Sequence, residues 1–472
     1  MASMSRILKL SLITASFFFL FFIPAECIPI ANITIEQQRV LAIFLMATLL
    51  WVSEAVPAYA TSLLILGLLS IMVSNTSPYF LREALNPEDM LNYKEILSSL
   101  AAPVVVLFLG GFFIAIAATK YKLDINLARV LLKPIGSDYQ KVMLGLMGIT
   151  AFFSMFMSNT ATTAMMLTLL TPLLADVDTT DNGVKGVILA VPVAANIGGI
   201  GTPIGTPPNA IAFRYLTGEH AITFGEWMLF AIPMAVVLIM IAWVLLRKLY
   251  PGNIKELAVK IECSFEQSPK AYLVYATTAA TVLLWTTSSI HGVNSYTVAL
   301  LPVIVFSLSG IIDTNDIKKI NWDVLWLIAG GIALGYALEK SGLARSIVQT
   351  IPFDNMGTFI VLFLMAVVSM VMATFMSNTA TANLLMPIAV SVATVLSGLE
   401  NYGGISLMVI CVALSASMGM SLPISTPPNA LAHATGMVAS RDFIKTGKFI
   451  STIGVVLIFS VITLLGVLGY FS

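Results

Sequence analysis

Two short polar words occur twice in this chain. Ser158-Asn159-Thr160-Ala161-Thr162 returns as Ser377-Asn378-Thr379-Ala380-Thr381, 219 residues on, and Thr206-Pro207-Pro208-Asn209-Ala210 returns as Thr426-Pro427-Pro428-Asn429-Ala430, 220 residues on. Gly110-Gly111 and Gly330-Gly331 fit the same offset. The surroundings are apolar, and polar groups at membrane depth mark ion and substrate paths. The Pro pair removes backbone donors and cannot sit inside a continuing helix. The helices around 184–214 and 403–437 should therefore break, near Gly198 to Pro208 and near Gly419 to Pro428. Thr206 and Thr426 then precede Pro at the first turn of a new half-helix, an N-cap arrangement. Such N-termini carry free N–H groups and a partial positive charge, and Asn amides and Thr hydroxyls add donors, a setting that suits an anion. No Lys or Arg lies in the motifs, so a bound dianion invites cations. Glycine-rich broken backbone such as Gly198-Gly199-Ile200-Gly201, with Ser and Asn oxygens, is the ligand type a hard alkali ion takes, and sodium fits better than a transition metal.

Any one of these motifs alone is well explained as hydrogen-bond glue between helices or as a simple kink. Four in symmetric positions favour a site. Met155, Met157, Met372 and Met376, around the tips, read as packing. Glu54, in Trp51-Val52-Ser53-Glu54-Ala55-Val56-Pro57, is either a paired structural carboxylate or a proton or cation relay. Asp176, Asp178 and Asp181 read as a solvated acidic turn.

The elements that must position these motifs are membrane helices. The 472 residues are 58% hydrophobic and 10% charged, with 24 Lys plus Arg against 24 Asp plus Glu, and the mean hydropathy is +0.94. That composition belongs in lipid, and the zero net charge offers nothing to a nucleic acid. Cys27, Cys263 and Cys411 have no paired or ligand spacing, and His220, His291 and His433 stand alone, so neither a disulfide framework, a metal cluster, an organic cofactor nor an enzyme's nucleophile and base is expected. The N-terminal apolar run resembles a signal peptide, but its continuation to Ile30 reads as a retained span.

The expected fold is an all-α polytopic membrane protein with eleven crossings, near 8–29, 39–53, 58–74, 100–119, 184–214, 226–246, 271–288, 295–311, 322–338, 403–437 and 449–470. The regions 139–175 and 356–397 read as re-entrant hairpins, since arms of the first reach only roughly 21–24 Å against a core of roughly 30 Å. The second hairpin is read so by likeness to the first. An N-terminal span and loop, 1–38, then precedes a first repeat, 39–249, with tip 158–160 and break 198–208. A cytoplasmic linker, 250–270, leads to a second repeat, 271–472, with tip 377–379 and break 419–428. An odd number of crossings between the copies makes the second repeat inverted, a common transporter plan with binding at the repeat interface. With the N-terminus inside, only Arg39, Arg82, Lys94, Arg214, Lys340 and Arg345 among the Lys and Arg fall outside, the bias expected for N-terminus in and C-terminus out.

At both Ser-Asn-Thr tips, both Thr-Pro breaks and the Trp51 to Pro57 stretch followed by Thr61-Ser62-Leu63-Leu64, the chain resembles the divalent anion/sodium symporter family of dicarboxylate, citrate and sulfate carriers. The likeness covers nearly the whole chain. It implies an elevator-like transport domain moving against a scaffold domain that forms a homodimer. It also implies that Asn159, Thr160, Thr206, Pro207, Asn378, Thr379, Thr426 and Pro427 surround the substrate carboxylates. One sodium would sit at Ser154, Ser158, Asn159 and Gly205, and a second near Ala373, Met376, Asn378 and Ser425. The chain departs from the pattern at Ala373, where similar carriers often have a hydroxyl. A weaker second site, a register change using Thr374, or an exchanger that needs less sodium all remain open. The resulting expectation is sodium-coupled symport of succinate, malate or fumarate across a bacterial inner membrane, with sodium-independent exchange of dicarboxylates, or of citrate for succinate, or sulfate carriage, as alternatives.

Overall fold

The computed structural model describes residues 6–30, 32–174, 177–178, 181–257, 266–350 and 356–471. Cys263, Asp176 and the middle of the linker at 250–270 lie outside the described residues. The described residues form helices, with two isolated bridging pairs and no strand among them.

Three helices, Arg6–Phe22, Ile35–Ser53 and Ala58–Met72, precede a series that runs through the chain twice. The first pass has Pro103–Lys120, Leu123–Leu132, the hairpin Tyr139–Ser154 and Asn159–Leu173, the broken pair Asn182–Gly199 and Pro207–Phe213, and Phe224–Leu249. The second, after Pro269–Thr286 and Leu300–Leu308, has Trp322–Lys340, Leu343–Gln349, the hairpin Thr358–Phe375 and Asn378–Val395, the broken pair Gly404–Ala416 and Pro427–Ala434, and Ser440–Val467. Both chain breaks fall where the Pro pairs require them. The last helix begins well before 449, because Asp442 accepts the Ala439 amide at 2.9 Å and starts it at Ser440.

Seven described helices are long and apolar enough to cross a membrane by length and composition: Ile35–Ser53, Tyr93–Lys120 taken as one run, Phe224–Leu249, Trp322–Lys340, Thr358–Phe375, Asn378–Val395 and Ser440–Val467. The other expected crossings are shorter, more polar or broken. Ala58–Met72 has 15 residues, and Arg6–Phe22 has 17. The arms of the first hairpin have 16 and 15 residues, whereas those of the second have 18 each, so arm length alone does not make the second hairpin re-entrant.

The short helices Leu123–Leu132 and Leu343–Gln349 extend the repeat beyond the motifs that announce it. They start 220 residues apart, each after a residue in the left-handed region, Lys122 (φ 53°) and Gly342 (φ 72°). Gly takes that conformation freely, while Lys122 is held there with its carbonyl accepting Asn126 Nδ2 at 2.7 Å. The double glycines serve close packing: a Cβ on Gly110 would strike Ala299, and one on Gly330 would strike Ser62.

Two apolar cores result. One runs through both hairpins and both broken helices, and the other joins the three N-terminal helices to Trp322–Lys340 and the second tip. The two passes interlock at the breaks. Pro427–Ala434 packs on Asn159–Leu173 and Asn182–Gly199, and Pro207–Phe213 packs on Asn378–Val395 and Gly404–Ala416. Asp181 is not a merely solvated turn residue, because its carboxylate caps Gly183 N at 2.7 Å and accepts Asn253 N at 2.8 Å. It thereby pins the start of the linker to the helix at 182–199.

Candidate functional site

All eight residues expected around an anion, Asn159, Thr160, Thr206, Pro207, Asn378, Thr379, Thr426 and Pro427, line one cavity of about 290 Å³. Ser158, Gly205, Ser377 and Ser425 share the lining. Ser154, Ala373 and Met376 lie behind it, each buried. The interlocked breaks explain the convergence, since each half-helix is carried onto the hairpin of the other pass.

The tips are built alike. Ser158 Oγ accepts Ala161 N at 3.1 Å while its carbonyl accepts Thr162 N at 3.0 Å. Ser377 does the same for Ala380 at 3.1 Å and Thr381 at 3.0 Å. The serines thus satisfy the third and fourth amides of each helix, and the first two, those of Asn159 and Thr160 and of Asn378 and Thr379, have no intrahelical partner. Four amides at two helix N-termini are left for an anion.

The breaks are stapled from inside. Asn209 is fully buried, and its Nδ2 donates toward Gly199 O at 3.0 Å, Ile200 O at 3.3 Å and Thr202 O at 2.8 Å. Asn429 Nδ2 donates to Met420 O and Leu422 O, both at 2.9 Å. The Asn of each Thr-Pro-Pro-Asn word replaces the lost helical donor at Gly199 O and Met420 O, while Ile200 O also accepts Trp227 Nε1 at 3.0 Å, Thr202 O Gly205 N at 3.3 Å and Leu422 O Ser425 N at 3.2 Å. The two threonines differ. Thr426 Oγ1 accepts Asn429 N at 3.3 Å, the expected cap, but Thr206 makes no side-chain cap bond. The passes also differ across the interface, where Asn196 Nδ2 donates to Thr426 Oγ1 at 3.2 Å and to Asn429 Oδ1 at 3.4 Å. The second pass has Ser415 and Ala416 in the corresponding stretch, with no amide to return the contact.

Cation-type geometry is present in the first pass. Ser154 Oγ lies 2.5 Å from Asn159 Oδ1 and 2.7 Å from Ala195 O. One hydroxyl proton cannot serve both acceptors, so three oxygens crowd together with one donor among them. Gly199 and Gly205 complete the crowding: a Cβ on Gly199 would lie 2.7 Å from Asn159 Oδ1 and 3.1 Å from Gly205 O. Neutral, hard, closely spaced oxygens of this kind fit an alkali ion. The second pass differs at the position flagged by Ala373. Asn378 Oδ1 is buried with no partner. Thr374 does not substitute through its side chain, since its Oγ1 turns back to Met370 O at 3.0 Å and its carbonyl accepts Ser425 Oγ at 2.6 Å.

Sequence reasoning missed Asn196, Asp323 and the charged group of Lys120, Asp316 and Lys319. Asn196 was signalled by an amide inside the otherwise apolar run Val187 to Ile197. Asp323, beside Asn321, Val324 and Leu327, also lines the cavity, and its signal was a carboxylate opening an apolar helix. Lys120, Asp316 and Lys319 line an adjoining cavity of about 290 Å³ that shares Phe112, Met157, Ser158 and Asn321 with the first. There Asp316 accepts Lys120 Nζ at 2.5 Å and Lys319 Nζ at 2.9 Å. Burial works to raise the Asp316 carboxyl, but the two lysines outweigh it and hold it down at about 2. Glu54 is exposed in the left-handed region (φ 49°) and forms no ion pair with a described residue. Arg6 and Lys9 beside it donate instead to Ala55 O at 2.9 Å and Ser53 O at 3.0 Å.

A helical membrane protein that runs twice through a hairpin and a broken helix to enclose one polar cavity has the plan of a secondary transporter. Residues 4–469 match the sodium:sulfate symporter transmembrane region, and the chain belongs to that family. Among its relatives, an uncharacterised transporter of Haemophilus influenzae is 30% identical over 93% of both chains. The sodium-dependent dicarboxylate transporter SdcS of Staphylococcus saprophyticus is 28% identical over 91% of this chain and 86% of its own. The inorganic phosphate transporter PHO87 of Saccharomyces cerevisiae is 29% identical over 88% of this chain. The chain spans about half the length of the yeast relatives it matches, 45% of PHO87 and 47% of a transporter of Schizosaccharomyces pombe. The fold is shared with the YdaH transporter of Alcanivorax borkumensis, at a TM-score of 0.58 and 11% identity over 88% of this chain and 99% of that one. MtrF of Neisseria gonorrhoeae gives a TM-score of 0.52 at 12% identity over 79% and 83%.

Proposed function

We propose that this protein is a sodium-coupled symporter of C4-dicarboxylates such as succinate, malate and fumarate. The observation that carries the reading is the single cavity in which two helix N-termini with uncommitted amides meet Asn and Thr side chains from both passes. Asn159, Thr160, Thr206 and Pro207 face Asn378, Thr379, Thr426 and Pro427 across it and hold the dianion. Sodium at Ser154, Ser158, Asn159 and Gly205 supplies the positive charge that the lining lacks, and so raises dianion affinity. A second sodium near Ala373, Met376, Asn378 and Ser425 relies on the unpartnered Asn378 oxygen and on backbone carbonyls. The two passes are inverted repeats, and the hairpins and broken helices move as an elevator against a homodimeric scaffold. The N-terminus lies in the cytoplasm of a bacterial inner membrane and the C-terminus outside.

A second reading is sodium-independent exchange of dicarboxylates, or of citrate for succinate, favoured by the missing hydroxyl at Ala373. The site is tested by Asn159→Ala and Asn378→Ala in proteoliposomes. Each should abolish uptake while the protein still inserts and folds, and full activity in both would remove the site. Flux that vanishes when internal dicarboxylate is omitted would instead support exchange.

A further inference from the structure

The cavity has an unexpected charge balance. Among its lining residues Asp323 alone is charged, and it is an anion in a space built around helix N-termini. Asp323 is exposed in the first turn of Trp322–Lys340, and no described residue donates a hydrogen bond or forms an ion pair with its carboxylate. The nearby lysines do not neutralise it, since Lys120 and Lys319 are bound to Asp316 in the adjoining cavity. The wall that Asp323 shares with Phe108, Phe112, Val324 and Leu327 is apolar apart from Asn321. The tips and breaks supply donors; this wall supplies none beyond Asn321.

We infer that Asp323 is a specificity-determining residue that limits the charge of the substrate, admitting dianions and turning away trianions. The inference rests on the symporter reading above. Two carboxylates of a substrate occupy the donors at the two tips, so a third must project toward the remaining wall. A cavity of about 290 Å³ has room for it. Charge therefore discriminates where volume does not. Like charges a few ångströms apart in a partly dehydrated cavity oppose each other by an amount worth about tenfold or more in affinity, and a wall with the Asn321 amide as its one donor gives the third carboxylate little in return.

The experiment measures KM and maximal rate for succinate and for citrate, at one pH where citrate is a trianion, in proteoliposomes of wild type, Asp323→Asn and Asp323→Glu. The Asn variant should lower the citrate KM about tenfold and the succinate KM by no more than about threefold, whereas the Glu variant should keep the wild-type preference. An unchanged citrate-to-succinate ratio in Asp323→Asn overturns the inference. So does a raised half-saturating sodium concentration with that ratio intact, since it would make Asp323 a cation ligand. Wild-type protein that carries neither acid would overturn the symporter reading itself, which keeps the two failures apart.

Discussion

Gly199 offers the sharpest perturbation of the oxygen cluster at the first tip. It ends the first half of the broken helix, and its missing side chain is what lets Asn159 and the second half of the break approach. A methyl group there would lie 2.7 Å from Asn159 Oδ1, 3.0 Å from Asn159 Nδ2 and 3.1 Å from Gly205 O. Contacts that short force the Asn159 amide out of line, and inserting a methyl into a packed site costs about 1–3 kcal/mol. Without sodium, swinging aside costs Asn159 its bond from Ser154 Oγ and no cation contact. With sodium bound it must stay, so the cost falls on the bound state. At about 1.4 kcal/mol per factor of ten, Gly199→Ala should raise the half-saturating sodium concentration by roughly fivefold to a hundredfold. The assay is sodium activation of dicarboxylate uptake in proteoliposomes, paired with the sodium-dependent rise in melting temperature of the purified protein. Gly148→Ala is the control, since it lies in the hairpin that carries Asn159 and its Cβ would meet nothing within 4 Å. Wild-type sodium activation in Gly199→Ala, or an equal shift in Gly148→Ala, would refute the assignment of this cluster to a cation.

Other positions give independent outcomes. Asn209→Ala strands the Gly199 carbonyl, since Ile200 O keeps Trp227 Nε1 at 3.0 Å and Thr202 O keeps Gly205 N at 3.3 Å, and Asn429→Ala strands the Met420 carbonyl, since Leu422 O keeps Ser425 N at 3.2 Å; at about 1–3 kcal/mol for an orphaned group the two variants should be destabilised to a similar extent, which denaturation of the purified proteins measures. Gly330→Ala should loosen the packing of Trp322–Lys340 on Ala58–Met72 and lower the melting temperature, while Gly67→Ala, with nothing near its Cβ, should not. Asp316 is held at about 2, below its ordinary value of 3.8, so its ion pairs stabilise the protein fully above that ordinary value and are lost only as pH falls through about 2. Melting curves of wild type and Asp316→Asn should therefore differ by a constant amount between pH 8 and about 5. A difference that disappears within that interval would contradict the pairing.

The features that were legible in the sequence were those in which residue type conflicts with surroundings. Ser-Asn-Thr and Thr-Pro-Pro-Asn stand out because neither polar groups nor paired prolines belong inside apolar helices, and their repetition removed chance as an explanation. The double glycines were legible as a repeat, though not as the close approaches to Ala299 and Ser62. What escaped notice depended on contacts between the two passes. Asn196 reaches Thr426 from a helix that otherwise reads as plain core, and repeat logic pointed away from it because the second pass has no amide in that place. The helices Leu123–Leu132 and Leu343–Gln349 escaped because they are too short and mixed for a hydropathy search. Asp323 escaped because a carboxylate at a helix start is ordinarily a cap. Nothing local distinguishes one that opens into a cavity lined from residues some 160 positions away.

The central claim is that one cavity couples a dianion to sodium. Purified protein in liposomes, given labelled succinate under an inward sodium gradient and, separately, an equal potassium gradient, tests it most directly, with excess unlabelled citrate, sulfate and phosphate as competitors. Concentrative uptake with sodium alone, in liposomes containing no internal dicarboxylate, is the predicted result. Equal uptake in potassium, or uptake that needs preloaded dicarboxylate, would contradict it.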